Sequence, residues 1–226
     1  MPEVALTLDA LLASARIPFA AAGVTDGTDE AIRLWSGLWR VSPSEAYLAR
    51  REAVTHEAAA QFEEAVARRV AGEPLAYVVG WTGFRHLELA TDRRALIPRP
   101  ETEGVVDLLL QRQATGLVAD IGTGSGCLAL ALADEGDFDE VHAVDRSAEA
   151  LALATANADA LHLTIRWHLG DLVVPLADLK LDALVSNPPY LTDAEYSVLD
   201  PAVKAWEPAG ALASGIDGLV HTRRLL

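Results

Sequence analysis

Asn187-Pro188-Pro189-Tyr190 closes the apolar run Leu181-Asp182-Ala183-Leu184-Val185-Ser186, which reads as a short buried parallel strand. The tetrapeptide therefore stands where a strand ends and a loop opens, the position at which open α/β sheets bind ligands. Its residue types suit a planar, nitrogen-bearing substrate. Asn187 offers a side-chain carbonyl acceptor, Pro188 and Pro189 stiffen the loop and present carbonyls without competing N–H donors, and Tyr190 adds a flat face with a polar tip. Two acceptors facing one NH2 group would hold it in place. Asn-Pro and Pro-Pro are also ordinary turn punctuation, so the tetrapeptide alone fits a plain loop equally well.

A second motif upstream shifts that balance. Leu117-Val118-Ala119-Asp120-Ile121 reads as a strand, runs into Gly122-Thr123-Gly124-Ser125-Gly126, and continues into the helix-like Cys127-Leu128-Ala129-Leu130-Ala131-Leu132-Ala133. Strand, glycine loop and helix form the context of a nucleotide-binding loop. A dinucleotide fingerprint spaces its glycines G-x-G-x-x-G, whereas here Gly122, Gly124 and Gly126 alternate, one residue too tight. The loop resembles the first motif of class I S-adenosylmethionine (SAM) methyltransferases, in which this backbone lies against the methionine and ribose of the ligand. Asp145, ending the strand-like Glu140-Val141-His142-Ala143-Val144, stands where a doubly wound fold hydrogen-bonds ribose hydroxyls. Asp171, with Leu172 beside it, follows Thr164-Ile165-Arg166-Trp167-His168 and is a candidate for the adenine end. Asp120, at the head of the loop, could meet the cofactor's ammonium directly or through water. A solvated loop carboxylate is the alternative for each; their order at successive strand ends favours the site.

The chain as a whole resembles the HemK/PrmC family of N5-glutamine methyltransferases, which act on class 1 peptide chain release factors. Besides the two motifs above, the resemblance rests on Gly72-Glu73-Pro74-Leu75-Ala76-Tyr77, Leu96-Ile97-Pro98-Arg99-Pro100-Glu101-Thr102-Glu103, Trp206-Glu207-Pro208, Ala211-Leu212 and Gly215-Ile216-Asp217-Gly218-Leu219. The Pro-Arg-Pro-Glu-Thr-Glu run is the most specific of these, since Asn-Pro-Pro-Tyr is shared with adenine and guanine N-methyltransferases. The resemblance implies a Rossmann-like class I SAM-dependent methyltransferase domain with a doubly wound sheet, a small N-terminal helical domain and a connecting β-hairpin. It implies SAM as cofactor, held by Asp120, Gly122, Thr123, Gly124, Ser125, Gly126, Asp145, Asp171, Leu172 and Asn187. Asn187, Pro188 and Tyr190 would be catalytic, and Pro189 would join them in binding the glutamine of a Gly-Gly-Gln loop. An amide nitrogen is a poor nucleophile because its lone pair is delocalised. Holding its N–H groups on the Asn187 side-chain oxygen and the Pro188 carbonyl, with Tyr190 against the amide plane, would supply orientation and electrostatics without a general base.

The elements that must position these residues fall into three stretches. Residues 1–71 read as helices over 4–15, 29–39, 43–51 and 56–70, with Ser42 as N-cap, Pro43 at the first helical position and Glu45 at the capping-box position. Phe62, Val66 and Val70 recur on one face, which leaves Arg68 and Arg69 outward. Residues 72–100 suggest a hairpin built from Tyr77-Val78-Val79 and His86-Leu87-Glu88-Leu89-Ala90, a bridge between domains. Pro98 and Pro100 then keep Arg99 extended, and Glu101 and Thr102 are expected beside the cofactor or as a plain helix start. In residues 101–226 strands and helices alternate, which implies a parallel sheet covered on both faces. Four strands can be placed before a final helix over 218–226, fewer than the resemblance implies, so this domain is expected to lack its last strands.

Composition bounds the partners. The 226 residues are 51% hydrophobic and 23% charged, those of a globular chain. The net charge of −15 is uneven: 11 Arg face 13 acids in residues 1–100, whereas 7 Lys plus Arg face 20 acids in residues 101–226. A domain at −13 lacks the basic footprint of a nucleic-acid binder, so no nucleic acid partner is expected. Neither signal peptide nor membrane span is read, and a monomer in the cytoplasm is expected. Cys127 reads as a packing residue, and the six His lack metal-ligand spacing, so no metal is expected. Two other functions remain open: a nucleic acid amino-methyltransferase acting on adenine N6 or guanine N2 of a flipped base, and a SAM-binding module without catalysis.

Overall fold

The computed structural model describes residues 6–226, and the chain divides into two compact units between Val79 and Gly80. The first unit is helical: α1 (Leu8–Ala21), α2 (Gly27–Trp39), α3 (Pro43–Leu48), α4 (His56–Val70) and α5 (Leu75–Val79). Thr7, Asp26, Ser42 and Thr55 each accept, through the side chain, a backbone N–H at the start of the next helix. Each thereby satisfies a donor that the helix leaves free. Ser42 and Glu45 complete the capping box at 3.1 and 2.7 Å. The apolar stripes converge on Leu11, Phe19, Leu34, Phe62 and Val78, and Trp35 stacks on Trp39 with centroids 3.8 Å apart.

Several expectations change here. The first helix occupies Leu8–Ala21 rather than 4–15, and residues 4 and 5 lie outside those described. Tyr77-Val78-Val79 is the end of a helix, not a strand. Arg68 explains the difference. Its guanidinium is held by Glu73 at 2.6 and 2.8 Å and donates to the Tyr77 and Val78 carbonyls at 3.1 Å each, which occupies acceptors that a helix end leaves unpaired. Arg69 likewise turns to Glu30 at 2.6 Å rather than outward.

The second unit opens with the hairpin of β1 (Trp81–Phe84) and β2 (Leu87–Ala90), antiparallel, with Trp81 opposite Ala90 and Phe84 opposite Leu87. There follow α6 (Pro100–Leu110), β3 (Thr115–Ile121), α7 (Cys127–Glu135), β4 (Asp137–Asp145), α8 (Ala148–Leu161), β5 (Arg166–Leu169) and β6 (Ala183–Ser186). The chain ends in α9 (Asp193–Val198), α10 (Pro201–Trp206) and α11 (Val220–Leu225). β5 begins at Arg166, where a strand from Thr164 was expected, and α11 starts two residues later than the helix predicted over 218–226.

The four strands β3 to β6 form a parallel sheet in the order β5-β4-β3-β6, an α/β fold as the sequence implies. Val118, Val141, Ala143 and Val185 face a core shared with α6, α7 and α8, while Ala119, Ile121 and Val144 face Leu176 and Leu225. Burial on both faces is why β3 reads as apolar from Leu117 to Ile121, with the buried Asp120 as the exception. The chain leaves β3 for β4 on one side and returns to β6 on the other, which makes the β3–β6 boundary a topological switch point. Among the described residues, no helix is long and apolar enough to cross a membrane.

Candidate active site

The carboxyl ends of the sheet strands open onto one cavity of about 290 Å³. β3 contributes Ile121 and the following Gly122, Thr123 and Ser125; β4 contributes Val144 and Asp145; the turn after β5 contributes Gly170, Asp171 and Leu172. From β6 come Ser186 and then Asn187, Pro188 and Pro189. Arg99, just before α6, and Thr102, in its first turn, close another side.

The glycine loop fits a ligand laid against its backbone. Gly122 has φ +75°, and a Cβ built there would meet no protein atom within 4 Å, so the space beside it belongs to the cavity. The Asp145 carboxylate is fixed by two backbone donors, Gly124 N–H on Oδ2 and Ser147 N–H on Oδ1, both at 2.9 Å. Each oxygen keeps acceptor capacity for a hydroxyl. Asp171 is half-exposed and accepts a hydrogen bond from Arg224.

Asp120 is fully buried. Its Oδ2 accepts from the Thr123 hydroxyl at 2.6 Å and from the Ala129 N–H at 3.2 Å, while Oδ1 has no partner. Loss of hydration is the main cause pushing its carboxyl up to about 7; Asp145 adds to the rise, and the bonds from Thr123 and Ala129 oppose it. Burial, helped by Asp120, raises the Cys127 thiol to about 12, which keeps it protonated and unreactive although it lines the cavity.

At the end of β6 the Asn187 side chain donates through Nδ2 to the Thr102 hydroxyl at 3.1 Å. Ser186 anchors the strand end by donating to the Ile121 carbonyl at 2.6 Å. The loop that follows is pinned by the segment 212–218: Leu191 N–H donates to Leu212 O at 3.0 Å, and Ser214 N–H to Leu191 O at 2.8 Å. Gly218 sits at φ +71° against Tyr190, where a Cβ would overlap the Tyr190 carbonyl oxygen. Arg99, which also lines the cavity, grips Glu207, whose side chain is 3% exposed, at 2.6 and 2.8 Å.

Two family models match the chain: the PrmC N-terminal domain over residues 10–80 and the methyltransferase small domain over residues 102–213. A release factor glutamine methyltransferase of Cereibacter sphaeroides is 38% identical over 202 residues, covering 88% of this chain and 72% of that protein. The chain belongs to the release factor glutamine methyltransferase family. Proteins of the same name are similar in Moorella thermoacetica, 43% identical over 77% of this chain and 63% of the relative, and in Bacillus subtilis, 40% over 74% and 61%. The chain thus spans between 61 and 72% of the length of these release factor glutamine methyltransferases.

In this member of the release factor glutamine methyltransferase family, Gly122, Thr123, Ser125, Asp145, Asp171, Leu172, Asn187, Pro188 and Pro189 come together in one cavity, although they are spread over four strand ends. Asp120, Gly124, Gly126 and Tyr190 do not line it. Asp120 and Gly124 support the lining through hydrogen bonds, and Gly126 packs against Ala154, while Tyr190 is 67% exposed one residue beyond the lining. Sequence reasoning missed Asn157, which is buried and ties β2, the glycine loop and α8 through Ala90 N–H and O and Ser125 O at 2.8, 3.2 and 3.0 Å. Its one signal was an amide on the buried side of α8, among Leu153, Ala154 and Ala158. Glu207 stands in the Trp206-Glu207-Pro208 motif, and its pairing with Arg99 needed the fold.

Proposed function

We propose that this chain transfers a methyl group from SAM to the side-chain amide nitrogen of the glutamine in the Gly-Gly-Gln loop of class 1 peptide chain release factors, as a monomer in the cytoplasm. One observation carries the reading: Asn187 and Pro188 line the same cavity as Gly122 and Asp145. SAM, when bound, supplies an electrophilic methyl on a sulfonium. Everything else falls to the chain. Gly122, Thr123 and Asp145 would hold the cofactor, with Asp171 and Leu172 at its adenine end. The Asn187 side-chain oxygen and the Pro188 carbonyl would take the two amide N–H groups and aim the nitrogen, and Tyr190 would cover the amide from the exposed side. Orienting a weak nucleophile in this way contributes rate without moving a proton in advance.

Substrate choice has to come from beyond the NH2 group, because any planar amine fits two acceptors. The −13 balance of residues 101–226 disfavours a phosphate backbone and supports a protein substrate. The test offers labelled SAM together with an intact release factor and, in parallel, DNA and RNA. A gain of one methyl on the Gly-Gly-Gln glutamine by mass spectrometry is the expected result. Label on nucleic acid, with the glutamine unmodified, would overturn the reading.

A further inference from the structure

We infer that Thr102 is a positioning residue that acts through Asn187, a role that rests on the reading above in which Asn187 receives the substrate amide. An asparagine side chain has two polar ends of similar shape, and only the oxygen can accept an N–H from a substrate. Here Asn187 Nδ2 donates to the Thr102 hydroxyl at 3.1 Å, so the oxygen is the end left for the cavity that both residues line. Thr102 is only 5% exposed, so water does not readily replace this contact.

Thr102 is itself held firmly. It lies in the first turn of α6, and its N–H donates to Arg99 O at 3.0 Å. Pro98 and Pro100 confine the backbone at Arg99, and the Arg99 guanidinium is locked onto Glu207. A side chain that orients a reacting group has to be fixed by its own surroundings, and this one is.

A threonine hydroxyl can donate as well as accept, so in the free protein a flipped Asn187 amide could also be satisfied. The two orientations part company when a substrate NH2 arrives. A flipped Asn187 would then present NH2 to NH2, two donors facing each other, whereas the observed orientation pairs every group. The hydroxyl therefore acts mainly on turnover and little on SAM affinity.

The experiment uses the full chain with Thr102→Val, which keeps the shape and removes the hydroxyl, and Thr102→Ser, which restores it. We expect Thr102→Val to lower kcat on the release factor by about 10- to 100-fold, with SAM affinity within about twofold of wild type, and Thr102→Ser to regain most of the loss. A second readout does not depend on turnover. The Asn187 side-chain amide signals, assigned by their absence in Asn187→Ala, should be protected from exchange in wild type and Thr102→Ser and lose that protection in Thr102→Val. Unchanged kcat in Thr102→Val, while Asn187→Ala is impaired, overturns the role of Thr102 and leaves the proposed function standing. If wild type leaves the release factor unmethylated, the proposed function fails, and Asn187 amide signals unmoved by Thr102→Val would then overturn the positioning role as well.

Discussion

Asp120→Asn should remove a pH dependence of stability that the wild-type chain carries across the weakly acidic range. In the folded chain the Asp120 carboxyl titrates at about 7, mainly because burial strips its hydration, against 3.8 for an ordinary aspartate. Between those values the folded state binds a proton that the unfolded state has released, so stability falls as pH rises. The slope for one group is about 1.4 kcal/mol per pH unit, and over roughly three units the loss is on the order of 4 kcal/mol. His168 works in the opposite sense. Burial, and then the neighbouring His142, lower its pKa, so it weakens the fold as pH falls below the usual histidine range. That contribution is common to both proteins and cancels in their difference. Urea unfolding of wild type and Asp120→Asn at about pH 5, 6 and 7 gives that difference directly, and the wild type should lose on the order of 1 kcal/mol relative to the variant for each unit, with the slope flattening as pH approaches 7 and the folded carboxyl ionises too. A difference that stays flat, or that moves in favour of wild type as pH rises, would refute the assignment of a buried carboxyl with an unpaired oxygen.

Three further outcomes are expected. Asn187→Ala removes the side-chain acceptor, so turnover should fall on the order of 100-fold while SAM affinity suffers less, measured by steady-state kinetics and calorimetry. Asp145→Ala should weaken SAM binding by about 1.5 to 3 kcal/mol, since it removes the carboxylate proposed to meet the ribose hydroxyls; equal affinities by calorimetry would take Asp145 out of the site. Gly218→Ala forces a side chain into a left-handed backbone and onto the Tyr190 carbonyl, which should cost about 1 to 3 kcal/mol in thermal unfolding and reduce turnover more than SAM affinity.

What the sequence determined by itself was local or repeated in the pattern. A parallel strand buried on both faces is mostly apolar, so β3, Asp120 apart, and the loop after it stand out from their surroundings, and Asn187-Pro188-Pro189-Tyr190 announces a strand end because two prolines cannot continue a ladder. Capping residues such as Ser42 and Glu45 mark helix starts for the same reason: their hydrogen bonds close within three residues. The tertiary structure decided whatever depends on partners far along the chain. Tyr77-Val78-Val79 is too short for its period to separate strand from helix, and Arg68, nine and ten residues before its acceptors, tips it to helix. Thr102 meets Asn187 across 85 residues and Arg99 meets Glu207 across 108, contacts that no local spacing encodes. The first exists because the order of the strands reverses at β3 and brings Asn187, just after β6, beside the first turn of α6.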